Sequence, residues 1–246
     1  MHNDSDGIVI KTDSLSVGYK NKKIISDINL SVKQGEIVTL IGSNGCGKST
    51  LLRTIAGQQK ALGGSIFIGD KEIKEYSEIE LAKRLSILLT DRVTPLLMTA
   101  YDVVCSGRYP YTGRLGILGA EDREKVEEIM ELTGVTGLRD AYFSELSDGQ
   151  RQRVMLARAL CQEPDILIMD EPMTFLDIKY KKELTDIILK LREEKHLTMI
   201  ISLHELEVIK RFTDRVICIK DGRVDKEGTP EEIIEDKYID YLFDMA

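Results

Sequence analysis

Short hydrophobic runs along the chain predict β-strands near its start and alternating strands and helices later. The first runs are separated by polar turns and predict an antiparallel arrangement of residues 8–10, 15–17 and 28–32. Residues 36–41 are rich in β-branched side chains and predict a buried strand, and residues 50–56 predict a helix. Residues 65–68 alternate as an edge strand does, and residues 85–89 form another apolar run.

The pattern changes between about residue 90 and residue 162, where strand signals are few and residues 121–133 predict a charged amphipathic helix. Strands return at residues 165–169, 198–202 and 215–219, with a helical stretch at 179–195. Strand–helix–strand alternation implies a parallel sheet with helical crossovers. We therefore predict one α/β domain over residues 1–246, with a core at about 1–89 and 163–246 and a helical subdomain at about 90–162.

Composition and charge exclude several classes of function. The net charge of −8 argues against nucleic acid as the main partner, because phosphate backbones require clustered positive charge. No apolar run reaches the ~20 residues that span a bilayer, and the first residues lack the apolar core of a signal peptide. A membrane role would therefore run through a partner protein. The four cysteines lack metal-ligand spacing and indicate reduced thiols in the cytoplasm.

The segment GSNGCGKST at residues 42–50 matches a phosphate-binding loop between a predicted strand and a predicted helix. Glycines let the backbone turn its N–H groups inward, and the helix N-terminus adds partial positive charge. Lys48 is expected to reach the β- and γ-phosphates, and Ser49 to ligate Mg²⁺. The nucleotide-binding candidates in this loop are Gly42, Ser43, Asn44, Gly45, Cys46, Gly47, Lys48, Ser49 and Thr50.

Two carboxylates follow the apolar run at residues 166–169, at the strand end where open α/β sheets bind ligands. Asp170 is expected to hold Mg²⁺, and Glu171 to polarise the attacking water as general base.

A second candidate anion site is Ser147-Asp148-Gly149-Gln150, which begins a predicted helix with a capping box. The helix cap alone is an alternative interpretation of that segment.

Together the phosphate loop, LSDGQ at 146–150, IMDEP at 168–172 and Ser-Leu-His at 202–204 resemble an ATP-binding cassette (ABC) ATPase over essentially the whole chain. The resemblance implies a P-loop NTPase (RecA-like) core, an N-terminal antiparallel β subdomain, an inserted helical subdomain, and ATP with Mg²⁺. It implies a head-to-tail homodimer in which residues 147–150 act on the other subunit's ATP. By position it assigns adenine stacking to Tyr19, a dimer-interface role to Asp177 and γ-phosphate contact to His204.

Two positions differ from the family pattern, and a third, in the phosphate loop, is a cysteine. Asp148 replaces the first glycine of the signature LSGGQ, and Thr90 stands where the family has glutamine. We hypothesise that Asp91, or Thr90 through a water, takes over the Mg²⁺ and coupling role. If Thr90→Ala and Asp91→Ala both leave stimulated ATPase activity intact, that hypothesis fails. Cys46 in the phosphate loop is most simply a small residue that fits there. The sharper hypothesis is that alkylation of Cys46 blocks ATP binding and that ATP protects the thiol.

Residues 107–113 (GRYPYTG) and 120–125 resemble the ATPases of iron–siderophore, haem and cobalamin importers. The resemblance implies an ATPase subunit at the cytoplasmic face of the cell membrane, attached to a permease and served indirectly by a substrate-binding protein. A non-transport ABC protein acting in assembly or translation is the alternative. A phosphotransferase with the same phosphate loop is disfavoured by LSDGQ and His204.

Overall fold

The computed structural model describes residues 7–89, 95–113, 116–234 and 238–243. Its strands are β1 (Ile8–Tyr19), β2 (Lys22–Ile28), β3 (Ser31–Lys33), β4 (Ile37–Ile41), β5 (Gly63–Ile68), β6 (Lys71–Glu72), β7 (Leu85–Leu88), β8 (Ile166–Asp170), β9 (Thr198–Ser202), β10 (Arg215–Lys220) and β11 (Arg223–Gly228). Its α-helices are α1 (Lys48–Ile55), α2 (Glu78–Arg84), α3 (Ala100–Cys105), α4 (Ala120–Leu132), α5 (Asp148–Leu160), α6 (Ile178–Lys195), α7 (Leu206–Phe212), α8 (Pro230–Ile234) and α9 (Tyr238–Leu242).

An antiparallel sheet forms from the N-terminal strands in the order β2-β1-β5-β6, with β3 also paired to β1. The predicted strand at 28–32 is wrong, because Ile28 ends β2 and Ser31 begins β3. Asn29 lies between them and accepts a hydrogen bond from the Ser14 N–H at 2.8 Å. The predicted edge position of residues 65–68 is also wrong, since β5 pairs with β1 on one side and with β6 on the other.

The second sheet has the order β11-β10-β4-β9-β8-β7. Neighbouring strands from β10 to β7 are parallel, and β11 pairs antiparallel with β10. The carboxyl ends of β4, β8 and β9 therefore meet at one edge. This edge carries the phosphate loop after β4, the acidic pair at the end of β8 and the histidine segment after β9, which confirms the predicted α/β class.

The parallel sheet is covered on both faces, and every residue of β4, β8 and β9 is buried. Val38 and Leu40 of β4 face one core that also contains the antiparallel sheet and Leu52 of α1. Ile37 and Ile41 face a second core, which α6 and the helices between β7 and β8 complete. Burial on both faces makes β4 a rigid base for the loop that follows it.

Arg108 ties the segments between β7 and β8 together. The residue is 6% exposed, and its guanidinium donates to Asp122 of α4 at 2.9 Å, to the Cys161 carbonyl at 2.8 Å and to Glu163 at 2.6 Å. A buried arginine with these acceptors is a structural link between α4 and the end of α5. Tyr109 beside it is 70% exposed, so the exposed part of the GRYP segment is the tyrosine.

Candidate functional site

The loop after β4 curls around the ammonium group of Lys48. Lys48 Nζ donates to the Gly42 carbonyl at 2.8 Å and to the Ser43 carbonyl at 3.2 Å, and the residue is only 4% exposed. Gly47 adopts a φ of +109°, and a Cβ there would stand 2.7 Å from the Ile24 side chain. Glycine is therefore required where the loop enters α1, and the turn holds a positive charge at the sheet edge.

Asp170 lies at the end of β8 and receives two hydroxyl groups. Ser49 Oγ donates to Asp170 Oδ1 at 3.0 Å, and Ser202 Oγ donates to the same oxygen at 2.8 Å. Ser202 ends β9 directly opposite Asp170 in the parallel register. The phosphate loop and the acidic pair, 121 residues apart in sequence, are thus joined through one carboxylate oxygen.

Glu171 is held in an uncommon backbone conformation with a φ of +47°. Its N–H donates to Ser202 Oγ at 2.8 Å, which supports a left-handed conformation that costs a non-glycine residue free energy. His204 Nε2 lies 2.8 Å from Oε1, and Thr174 Oγ1 donates to Oε2 at 3.2 Å. These contacts fix the orientation of the Glu171 carboxylate and connect it to His204, the predicted γ-phosphate contact.

The Glu171 carboxylate is ionised at neutral pH. Burial raises its pKa, but hydrogen bonds from His204 and Thr174 and the nearby charge of Lys48 outweigh burial and hold the pKa below its ordinary value. Its side chain is 26% exposed, so water can reach it. The group is thus an unprotonated, partly exposed carboxylate near the Lys48 ammonium, and this is the protonation state that a proton acceptor needs.

Tyr19 stands at the end of β1 with 51% of its surface exposed. Its hydroxyl accepts from Thr50 Oγ1 at 3.4 Å, and its ring borders a cavity of about 350 Å³ with Arg53 and Lys60. An exposed ring beside the first turn of α1 is available for stacking against a planar group. Tyr19 therefore lies beside the phosphate loop, and its stacking on adenine stays a prediction.

The segment 147–150 begins α5 with the predicted capping box. Gln150 N–H donates to Ser147 Oγ at 3.3 Å, and Ser147 N–H donates to Gln150 Oε1 at 2.9 Å. Asp148 is exposed and lies 3.7 Å from Arg151, while Gly149 is buried. These contacts confirm the capping box, and the role of the segment as an anion site stays a prediction.

Asp177 caps α6, accepting from the Tyr180 N–H at 2.9 Å, and the residue is exposed. Thr90 and Asp91 lie outside the described residues, so their role stays a prediction. Among the described residues, no three His, Cys, Asp or Glu side chains cluster as a metal site. Ser49 and Asp170, whose oxygens lie 3.0 Å apart, are the residues at the sheet edge that would hold Mg²⁺.

Sequence reasoning missed Ser202 and Thr174, which fix Asp170 and Glu171. Ser202 appeared there only as part of the histidine segment. The signal that points to Ser202 is a polar residue at the end of an otherwise apolar strand, directly opposite Asp170 in the parallel register. No local pattern marks Thr174, since its role depends on the turn after Glu171.

Comparison with known proteins agrees with this geometry. The family profile described as ABC transporter matches residues 25–174. The chain belongs to the ABC transporter family. This ABC ATPase is 42% identical over 237 residues to an uncharacterised ABC transporter ATP-binding protein of Methanocaldococcus jannaschii, covering 96% of the chain and 82% of that relative.

Two characterised relatives bear import or transport names. The iron(3+)-hydroxamate import ATP-binding protein FhuC of Bacillus subtilis is 35% identical, covering 96% of this ABC ATPase and 88% of FhuC. The ferric enterobactin transport ATP-binding protein FepC of Escherichia coli is 33% identical, covering 96% and 87%.

A dimeric post-hydrolysis structure of an ATP-binding cassette with ADP and inorganic phosphate has a similar fold, with a TM-score of 0.79 and 28% identity. The alignment covers 90% of this ABC ATPase and 98% of that chain. As a family member, the protein binds and hydrolyses ATP. ATPase subunits of such importers dimerise and work with membrane permeases.

Proposed function

We propose that this protein is the ATPase subunit of an importer that takes up an iron complex through a separate permease. The observation that carries the ATPase assignment is the Glu171 carboxylate, held by His204 and Thr174 beside the Lys48 loop. The iron assignment is supported by the similarity to FhuC and FepC over 96% of the chain. A siderophore complex is the favoured cargo, with haem and cobalamin as related possibilities for the same subgroup.

The nucleotide site is built from the loop at 42–50, with Tyr19 stacking on adenine. Lys48 leaves its carbonyl partners for the β- and γ-phosphate oxygens, which are better acceptors for an ammonium group because they are charged. Ser49 and Asp170 already share a hydrogen bond at 3.0 Å and form an oxygen donor set that fits Mg²⁺. Mg²⁺ neutralises phosphate charge when it is bound there.

Glu171 accepts the proton of the attacking water. Its low pKa keeps the carboxylate charged. His204 contacts Oε1 and Thr174 contacts Oε2, so that the orientation of the carboxylate is fixed. His204 is the proposed γ-phosphate contact, and its Nε2 lies 2.8 Å from Glu171 Oε1. Positioning and charge stabilisation account for most of the catalysis in phosphoryl transfer.

Two copies share each ATP in the proposed assembly. One copy holds the nucleotide with its phosphate loop, and the other covers the γ-phosphate with Ser147, Asp148, Gly149 and Gln150 at the N-terminus of α5, where the helix dipole attracts anions. Asp177 lies at the interface between the copies. The similarity to a dimeric cassette that contains ADP and phosphate supports this arrangement.

An apolar groove of about 540 Å³ is the proposed docking site for the permease. Its walls come from α2, β7, α3 and α5, and include Leu81, Met98 and Met155 with Arg158 as a cation. Ser106, beside the exposed Tyr109, also lines it. A groove of this kind accepts an amphipathic helix. In the described parts of the chain, no helix has both the length and the hydropathy of a membrane span. We propose that the protein attaches to the cytoplasmic face of the membrane through its permease.

Reconstitution with the permease and the substrate-binding protein tests the proposed function. We expect the protein to co-purify with the permease and to drive ATP-dependent uptake of a radioactive ferric siderophore into proteoliposomes. Liposomes with the Glu171→Gln protein are the matched control and should take up none. An active ATPase that binds no membrane partner would instead favour an assembly or translation factor.

Alkylation is expected to single out Cys46. Burial raises the pKa of Cys161 and of Cys218 to about 12 and raises that of Cys105, so these three remain unreactive thiols. Cys46 is only partly buried within the phosphate loop. N-ethylmaleimide should therefore modify Cys46 first and block ATP binding, and ATP should slow the modification; mass spectrometry of tryptic peptides measures both. Equal labelling with and without ATP would contradict the prediction, and Cys46→Ala is the control.

A further inference from the structure

The ring of Tyr180 covers Gly149 in the same chain. Gly149 lies in the first turn of α5 and Tyr180 in the first turn of α6. A Cβ at Gly149 would stand 2.5, 2.6 and 2.8 Å from the Cγ, Cδ2 and Cδ1 atoms of Tyr180. Carbon atoms in van der Waals contact are ~3.5–4.0 Å apart, so a side chain at Gly149 collides with the ring.

The collision cannot be relieved cheaply, because Tyr180 is held on several sides. Asp177 accepts a hydrogen bond from the Tyr180 N–H at 2.9 Å, which fixes its backbone. The Arg153 guanidinium lies 5.5 Å from the ring centroid, within the distance of a cation–π contact. Arg153 also approaches Glu183 of α6 at 3.3 Å. The N-terminal halves of α5 and α6 are thus joined by one aromatic contact and one ion pair.

A short path connects this contact to the catalytic carboxylate. Thr174 binds the Glu171 carboxylate at 3.2 Å, and Asp177 follows three residues later and caps the helix that carries Tyr180. Every step of the path from Glu171 to Gly149 lies within one chain. In the proposed dimer, however, residues 147–150 act on the ATP of the other copy.

We propose that Tyr180 is a positioning residue for the signature turn, residues 147–150, and that position 149 is glycine because the ring occupies the space of a Cβ. The ring sets the angle at which the N-terminus of α5 meets the other copy's γ-phosphate. It also makes that angle depend on the segment from Glu171 to Asp177 in its own chain. This second consequence rests on the proposed function, whereas the packing does not.

Thermal unfolding of the isolated protein tests the packing. Alanine is a better helix former than glycine, so Gly149→Ala should raise the Tm unless the methyl group collides. We expect it to lower the Tm by roughly 5 °C. In the Tyr180→Ala background the same substitution should raise the Tm, because the space is open. Gly137→Ala, where a Cβ meets nothing within 4 Å, is the matched control and should not lower it.

ATP-driven dimerisation tests the positioning role, in a Glu171→Gln background. Tyr180→Ala should raise the ATP concentration for half-maximal dimerisation roughly tenfold, as sedimentation velocity measures it. Binding of a fluorescent ATP analogue to the monomer should change less than about twofold, because Tyr180 lies outside the phosphate loop. Tyr180→Phe, which keeps the ring, should restore dimerisation.

The proposal is overturned if Gly149→Ala lowers the Tm equally with and without the Tyr180 ring. It is also overturned if Gly149→Ala leaves the Tm unchanged and abolishes dimerisation, since glycine would then be required by the nucleotide of the other copy. Failure of the Glu171→Gln protein to dimerise with ATP, together with the expected reversal in Tm, would overturn the proposed dimer and the positioning role while supporting the packing.

Discussion

Glu171→Gln is expected to reduce ATP hydrolysis at least ~100-fold and to trap an ATP-bound dimer. Glutamine keeps the size of the side chain and can still contact His204 and Thr174, but its amide cannot accept the proton of the attacking water. Phosphate release at saturating MgATP measures the rate, and size-exclusion chromatography measures the dimer. ATP binding itself should persist, because Lys48 and the loop are unchanged.

Glu207→Gln is the matched control, since Glu207 lies in the first turn of α7 and has no part in the site. It should hydrolyse ATP at the wild-type rate. Normal turnover in Glu171→Gln would disprove the general-base assignment. The low pKa of Glu171 adds a condition on pH: any loss of rate from its protonation should occur only below the ordinary carboxyl range.

Lys48→Ala is expected to weaken ATP binding by two orders of magnitude or more, through loss of a charge-assisted contact to the phosphates. Lys48 is 4% exposed, and its Nζ is held by two backbone carbonyls. Burying an ammonium group costs solvation free energy, which offsets the free energy of its two hydrogen bonds. Removal of the group should therefore leave the free energy of unfolding of the nucleotide-free protein nearly unchanged. Isothermal titration calorimetry with ATP and thermal unfolding without it measure the two effects.

Lys190→Ala supplies the control for charge, because Lys190 is exposed on α6. Its ATP affinity should equal that of the wild type. Tight ATP binding by folded Lys48→Ala would contradict the assignment of the loop. A variant that unfolds without nucleotide would instead show that the lysine mainly closes the loop through Gly42 and Ser43.

Local patterns predicted the elements whose residues interact with near neighbours. The strand at 198–202 has the predicted bounds, and the helix predicted at 179–195 is Ile178–Lys195. Prediction failed where distant contacts decide. Residues 28–32 are apolar enough for one strand, but Asn29 binds the Ser14 backbone and splits them. Helix α2 and strand β11 were not predicted, since they carry little apolar periodicity of their own.

The GRYP segment illustrates the same division. Its sequence resembles the subgroup of iron-complex importers, which the relatives FhuC and FepC support. Nothing in the local pattern shows that Arg108 is buried while Tyr109 is exposed, because the acceptors of Arg108 lie up to 55 residues away. Burial depends on what packs against a segment.

The sequence by itself determined the family, the phosphate loop and the acidic pair, because these are contiguous motifs whose chemistry depends on residue type and spacing. Only the tertiary structure brought the hydroxyl groups of Ser49 and Ser202 to Asp170 Oδ1, since three strands must end at the same edge of the sheet for these groups to meet. It alone placed Tyr180 against Gly149. A contact between two helices that begin 30 residues apart leaves no periodic trace in the chain, because it depends on how the helices pack.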